Sequence, residues 1–164
     1  MANWSKTLFR VEVTFPAPLD FVYRWLTDFS PRDAEITGET FRRKLLERSE
    51  SRVIFEDLAA TPSGWSWLRN VVDLQPPDRW HLEAVGNSLD ARADYRLIPR
   101  SASQTVLVMT WRLRPGLLGG SVPPKAEIEA SLRHVWESYV QALENDLRPI
   151  RLRARRSRDK RDRS

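Results

Sequence analysis

The chain has 164 residues, a formal net charge of +5, two histidines and no cysteine. This length fits one domain, and the lack of cysteine excludes disulfides, thiolate metal ligands and a cysteine nucleophile. No stretch approaches the roughly 18 apolar residues of a membrane span, and residues 1–6 lack the regions of a signal peptide. We therefore expect a cytoplasmic protein that uses no metal and no other cofactor.

The positive charge is concentrated at the C-terminus. Residues 148–164 hold nine basic and two acidic side chains, a charge of +7, whereas residues 1–147 hold 18 basic and 20 acidic ones, a charge of −2. Such a distribution is typical of a tethered basic arm and not of a folded nucleic-acid-binding face. We divide the chain into a ligand-binding domain at 1–148 and a basic, disordered tail at 149–164. The tail is either a solubilising extension or a transient contact for an anionic membrane or nucleic acid.

The N-terminal part predicts one strand and two short helices. Apolar and polar residues alternate over 7–15, the period of two of a strand with one buried face. Pro18 and Asp20 then mark the start of a helix that ends near Asp28. A second short helix begins near Ser30 and is closed by Gly38.

From Glu39 onward the pattern is one of short strands separated by turn residues. Glycine, proline, asparagine and serine occur between the segments, each suited to a tight turn. The spacing of eight to twelve residues is typical of an antiparallel meander. The predicted strands are 40–48, 52–59, 65–74, 79–85, 91–98 and 105–113.

Residues 125–147 predict one long helix. Apolar and aromatic residues recur there at spacings of three and four: Ile128, Leu132, Trp136, Tyr139, Leu143 and Leu147. Pro149 predicts an end near Leu147. A helix of this length spans about 35 Å, enough to cross a small sheet. The sequence therefore predicts an α+β fold in which a seven-stranded curved antiparallel sheet grips the long C-terminal helix, with two short helices after the first strand.

One run carries a family resemblance. Residues 11–28, VEVTFPAPLDFVYRWLTD, join a strand, an Ala-Pro turn, a helix with valine and aromatic residues, and a closing aspartate. The run and the order of elements over 5–148 resemble the START-related, polyketide cyclase-like (SRPBCC, helix-grip) superfamily. The resemblance implies an apolar cavity between sheet and helix that takes lipids, sterols, quinones or polyketides; only some members are enzymes.

The candidate cavity residues come from two strand faces and the long helix. On one predicted strand the odd positions 65–73 share a face, and the interpretation requires that this face point inward. Arg69 either binds a ligand carboxylate or carbonyl or pairs with a glutamate across the strands. Asp94, His81 and Glu83 are candidates if their strands have the other register. The aromatic members are either cavity walls or packed core. The candidates are Trp65, Trp67, Arg69, Asp73, Asp94, Met109, Trp111, Trp136 and Tyr139.

Leu117 and Leu118 lie in a glycine-rich loop before the long helix. Two leucines at a loop tip are unfavourable in water unless they cover something apolar, so we interpret them as a lid. No nucleophile with a base and no phosphate-binding loop is present, so catalytic residues stay unassigned. We expect a carrier or sensor of a small hydrophobic or amphipathic ligand (lipid, isoprenoid, quinone or aromatic polyketide). The alternatives are a cyclase or dehydratase in the same cavity, and an interaction protein whose tail binds RNA or an acidic partner. The oligomeric state stays open.

Overall fold

The structure, a computed structural model, describes residues 4, 6–62, 64–119 and 121–161, with side chains up to Arg151. Ser63 and Gly120 of the predicted loops, and residues 162–164 of the predicted tail, lie outside it. The strands are β1 (Phe9–Phe15), β2 (Phe41–Arg48), β3 (Arg52–Thr61), β4 (Gly64–Gln75), β5 (Arg79–Gly86), β6 (Leu89–Ser101) and β7 (Gln104–Pro115). The helices are α1 (Leu19–Leu26), α2 (Asp33–Thr37) and α3 (Lys125–Arg161).

The seven strands form one antiparallel sheet in the order β1-β7-β6-β5-β4-β3-β2. From β2 to β7 each strand pairs with the next one along the chain, which is the predicted meander, and β1 completes the sheet by pairing with β7. The inner face of this curved sheet holds the apolar core against α3. The predicted helix-grip architecture is confirmed.

The two short helices connect β1 to the far edge of the sheet. α1 follows Pro18 and buries Val22, Tyr23 and Leu26 against the core. α2 ends at Gly38, whose φ of 70° is a left-handed conformation that glycine adopts without steric cost. The chain then turns directly into β2, so α2 lies beside the end of the sheet where the candidate site is found.

The long helix does not end at Leu147 as predicted, because α3 continues through Pro149 to Arg161. A proline inside a helix removes one backbone hydrogen bond, here to the carbonyl of Asn145, and the arginine, leucine and alanine residues that follow are good helix formers. Arg151 also donates from Nη2 to the carbonyl of Pro16 at 2.6 Å, which fixes the first turn beyond the proline. No helix within the described residues is both long and apolar enough to cross a membrane.

A polar contact ties α3 to the α1–α2 segment. Asp146 accepts hydrogen bonds from Arg32 Nη1 at 2.7 Å and Nη2 at 2.9 Å, and from Trp25 Nε1 at 2.9 Å. These donors, with the Arg32 hydrogen bond contributing most, lower the pKa of the Asp146 carboxyl. The contact holds the middle of α3, beyond the part of the helix that lines the cleft.

Replacing Asp146 with asparagine is expected to lower the free energy of unfolding by about 1–2 kcal/mol at pH 7, since the contact is charge-assisted but half-exposed. Because the folded-state pKa is depressed, the carboxylate stabilises the fold above its unfolded pKa, and this contribution is lost as the pH falls through the folded value. Urea unfolding at pH 7 and at pH 3 measures both effects. Glu144→Gln, a neighbouring charge change on the exposed face of α3, is the control; an equal loss in both variants would contradict the prediction.

Candidate ligand-binding cleft

The long helix does not lie flat on the sheet. α3 approaches β1 and α2 most closely, and its N-terminal half is separated from the other strands by a cleft with two lobes, of about 620 and 510 Å³. Glu39, Ser66, Leu68 and Val135 line both lobes, so the two lobes adjoin each other. A cleft therefore exists where the fold resemblance implied one.

Small side chains on the inner face of the sheet create this space. Ala59, Ser66 and Ala91 line it from three different strands, where larger residues would fill it. Gly86, at the end of β5, has no room for a side chain, because a Cβ there would lie 2.8 Å from the backbone oxygens of Trp67 and Leu89. This close approach of backbones lets the chain turn at the mouth of the cleft.

The deeper half of the interior is closed by an aromatic cluster. Trp80 and Tyr95 stack with ring centroids 4.8 Å apart. Trp136 lies 6.2 Å from Tyr95 and 5.2 Å from Tyr139. These rings fill the space between the middle strands and α3, so the cleft ends where Tyr139 meets the cluster.

The second lobe is mainly apolar. A ligand there would rest on the side chains of β6 and β7 and be covered by the first turns of α3. Its lining residues are Glu39, Ser66, Trp67, Leu68, Ser88, Leu89, Ala91, Trp111, Leu113, Pro123, Glu127, Ile128, Ser131, Leu132 and Val135.

The first lobe is more polar than the second and contains a buried ionic cluster. Arg43 donates from Nε and Nη2 to the two carboxylate oxygens of Asp57, each at 2.8 Å. It also donates from Nη1 to Asp33 and, at 3.4 Å, to the carbonyl of Ser30. The Arg43 side chain is 8% exposed, and its guanidinium lies 4.1 Å from the ring centroid of Phe55. One cation therefore faces two carboxylates.

An acid and a phenol at this cluster have raised pKa values. Burial raises the pKa of the Asp33 carboxyl, although the Arg43 guanidinium opposes the shift. Burial, with the Asp33 charge second, raises the pKa of the Tyr139 hydroxyl. Tyr139 lines the first lobe, so the cleft contains a phenol that stays protonated at neutral pH and can donate a hydrogen bond.

The predicted inward face of β4 points outward. Trp65 is 65% exposed, Arg69 pairs with Glu56 at 2.7 Å, and Asp73 pairs with Arg52 at 2.8 Å. The inward face carries the alternate residues, including Asn70, which is 3% exposed and whose Nδ2 has no hydrogen-bond partner. A register shift of one residue exchanges the two faces of a strand, which explains the difference. Trp67 nevertheless lines the second lobe.

The other sequence candidates are divided between the two faces. Asp94 lies on the outer surface, where its Oδ1 is 2.8 Å from His81 Nδ1. Met109 is buried on the inner face and Trp111 lines the second lobe. Trp136 and Tyr139 belong to the aromatic cluster, and Tyr139 also reaches the first lobe.

Two features of the cleft were not recognised in the sequence. Arg43 was not singled out, although Phe41, Arg43 and Leu45 alternate along β2 and so share one face of the strand. Glu39, which lines both lobes, follows the glycine that ends α2. From sequence alone, a charged residue in a strand is assigned to the solvent-exposed face, because its ion-pair partners are not known. The partners of Arg43 are 10 and 14 residues away.

The proposed lid residues are at the mouth but not in the cleft. Leu117 and Leu118 are 83% and 79% exposed and line neither lobe. Their backbone N–H groups donate to the carbonyls of Gly86 and Asn87 at 3.0 and 2.9 Å. The loop is therefore anchored beside the turn between β5 and β6, with both leucine side chains in solvent.

Solved structures share this fold. The ZhuI aromatase/cyclase from Streptomyces sp. R1128 is 19% identical, with a TM-score of 0.65 over 85% of this chain and 93% of that one. A START superfamily protein from Mycobacterium smegmatis is 14% identical, with a TM-score of 0.67 over 84% and 97%. The di-domain ARO/CYC StfQ from the steffimycin biosynthetic pathway is 13% identical, with a TM-score of 0.67 over 84% of this chain and 45% of that one. No family model and no curated protein matches the sequence.

The chain therefore has the helix-grip fold of the START-related, polyketide cyclase-like superfamily. At these identities the likeness concerns the fold, and the same fold supports many functions. What the cleft accepts has to be argued from its own residues.

Proposed function

We propose that the protein binds a small hydrophobic or amphipathic molecule in the cleft, as a carrier or sensor. The observation that supports this is the space between α3 and the sheet, with its mainly apolar second lobe. Each lobe falls in the range of about 300–1,000 Å³ that is usual for small-molecule sites. Lipids, isoprenoids and aromatic compounds have the size and polarity for such a lobe, with a polar group directed to the first.

The parts outside the cleft have proposed roles in ligand exchange. Leu117 and Leu118 would fold over the mouth when a ligand is bound, since this removes their apolar surface from water. The basic segment 149–164, which continues α3 as far as Arg161, would contact an anionic surface. The domain at 1–148 would then perform the binding itself.

A cyclase or dehydratase reaction in the same cleft is the second candidate. The observation in its favour is Tyr139, a phenol beside the Arg43 cluster whose raised pKa keeps it protonated, so that it can donate a hydrogen bond to a ligand oxygen and polarise it. An enzyme would convert its ligand, whereas a carrier would release it unchanged. Chemical analysis of the ligand after its release from the protein therefore separates the enzyme from the carrier.

The binding proposal predicts that a bulky side chain in the cleft blocks an apolar probe. Leu68 lines both lobes, so Leu68→Trp is expected to weaken binding of the neutral fluorophore N-phenyl-1-naphthylamine by at least about tenfold. Leu58→Trp is the matched control, because Leu58 is 41% exposed and lines neither lobe. Titration followed by fluorescence measures both affinities.

Val135→Trp fills the same cleft from the helix and replaces Leu68→Trp if that variant does not fold. Equal affinities in a cleft-filled variant and in Leu58→Trp would contradict the proposed site. If the parent protein does not bind the probe at all, the proposal fails, and the interaction-protein alternative is favoured.

A further inference from the structure

The charges that line the cleft are mostly negative. Glu39 lines both lobes, Asp57 the first and Glu127 the second, and the cation among the lining residues is Arg43. The near-neutral composition of the domain does not reveal this excess of negative charge, because the acidic residues come together only when the chain is folded.

Arg43 is not available to an anionic ligand. Its Nε, Nη1 and Nη2 already donate to two carboxylates and a carbonyl, and its side chain is almost fully buried. Asp33, which lies behind the first lobe, is the second carboxylate that pairs with Arg43. A ligand carboxylate or phosphate would therefore meet uncompensated negative charge and no free guanidinium.

Glu39 and Glu127, in contrast, have solvent-exposed side chains in the lining of the cleft. Neither forms a salt bridge within the part of the chain that the structure describes. Glu39 is near enough to Tyr139 to contribute to the raised pKa of its hydroxyl. The Phe41 ring in the first lobe already has the Arg43 guanidinium 5.1 Å from its centroid, whereas Trp111 in the second lobe is an aromatic ring of the kind that attracts cations through its quadrupole.

We propose that the ligand of this cleft is an amphipathic organic cation, with an apolar or aromatic body in the second lobe and a protonated amine beside Glu39. This rests on the proposed function and specifies its ligand class. It excludes fatty acids, acidic polyketides and phosphate-bearing lipids as preferred ligands. Neutral molecules of the same shape would bind, but more weakly than the amine.

The test uses three compounds that differ in one head group: 2-(1-naphthyl)ethylamine, 2-(1-naphthyl)ethanol and 1-naphthaleneacetic acid. Each displaces N-phenyl-1-naphthylamine from the full chain at pH 7 and low salt. The amine is expected to bind at least about tenfold tighter than the acid, with the alcohol between them, and this ratio is expected to shrink in about 0.5 M salt.

A charge variant locates the effect. Glu39→Gln is expected to lower the amine-to-alcohol affinity ratio by about three- to tenfold, mainly through weaker binding of the amine. Glu50→Gln is the control: it removes the same charge from the turn between β2 and β3, at the end of β3 away from the cleft and about 20 Å along the strand. Its affinity ratio should match that of the parent.

The outcomes separate the two proposals. If the probe binds but the acid binds as tightly as the amine, or none of the three compounds displaces it, the cationic ligand class is overturned and the cleft remains a binding site. An unchanged ratio in Glu39→Gln also overturns it. If neither the probe nor any of the compounds binds, the proposed function itself fails.

Discussion

Replacing Arg43 with methionine is expected to lower the free energy of unfolding by about 3–5 kcal/mol at pH 7, because it leaves two buried carboxylates without their cation. Asp57 loses a bidentate partner and Asp33 loses its Nη1 contact. Arg69→Met removes an arginine from an exposed pair with Glu56 and is expected to change stability by less than about 1 kcal/mol. Urea unfolding of the two variants and the parent measures the difference.

The effect of Arg43→Met should depend on pH in a defined direction. Burial already raises the pKa of the Asp33 carboxyl, and Arg43 opposes that rise, so its removal raises the pKa further. A carboxyl whose folded-state pKa lies above the unfolded one favours the fold at low pH and loses this contribution as the pH rises through the folded value. The gap between variant and parent should therefore narrow from pH 7 to pH 5. Equal losses for Arg43→Met and Arg69→Met, or a gap that widens at low pH, would contradict a buried ionic cluster.

The fold could be predicted because its elements have strong periodic patterns. The alternation in 7–15 indicates a strand, and the three-and-four spacing around Trp136 indicates a helix. Turn residues separate the strands of the meander, and short connections leave an antiparallel sheet as the simple arrangement. The order and number of elements follow from these local signals.

There is a physical reason why the sequence does not show which face of β4 points inward. Both faces of this strand carry apolar residues: Trp65 and Val71 on one, Leu68 and Val72 on the other. Because large aromatic side chains are usually buried, Trp65 suggests that the first face points inward. Trp65 is nevertheless exposed, since it lies at the start of the strand. The pairing of β4 with β3 and β5 decides the orientation, and pairing is a long-range property.

The charge of the cleft could not be predicted either. Arg43 is buried because Asp33 and Asp57 reach it from α2 and β3, and neither contact leaves a local pattern. Glu39 and Glu127 are separated by 88 positions in the chain and line the same lobe only after α3 has packed. The order of the elements therefore follows from local sequence patterns, whereas the charge of the cleft, and with it the proposed ligand class, depends on tertiary contacts.

Trp136→Ala is expected to have the second largest effect, a loss of about 3–5 kcal/mol in the free energy of unfolding. Trp136 is 9% exposed and contacts Phe15, Tyr95 and Tyr139 with ring centroids 6.5, 6.2 and 5.2 Å away. Its removal leaves a cavity where α3 meets the middle strands. Trp65→Ala is the matched control, since that side chain is mostly in solvent and its loss should change stability by less than about 0.5 kcal/mol.

The same pair of variants decides between the two interpretations of the aromatic residues. If Trp136 is core, Trp136→Ala is strongly destabilised, and the enlarged cleft still binds N-phenyl-1-naphthylamine at temperatures where the variant is folded. If Trp136 is a wall of the ligand site, the stability changes little and the probe affinity falls. Its three ring contacts and low exposure favour the first result, because a side chain packed on several sides contributes mainly through burial. A stable Trp136→Ala protein that no longer binds the probe would make Trp136 part of the site.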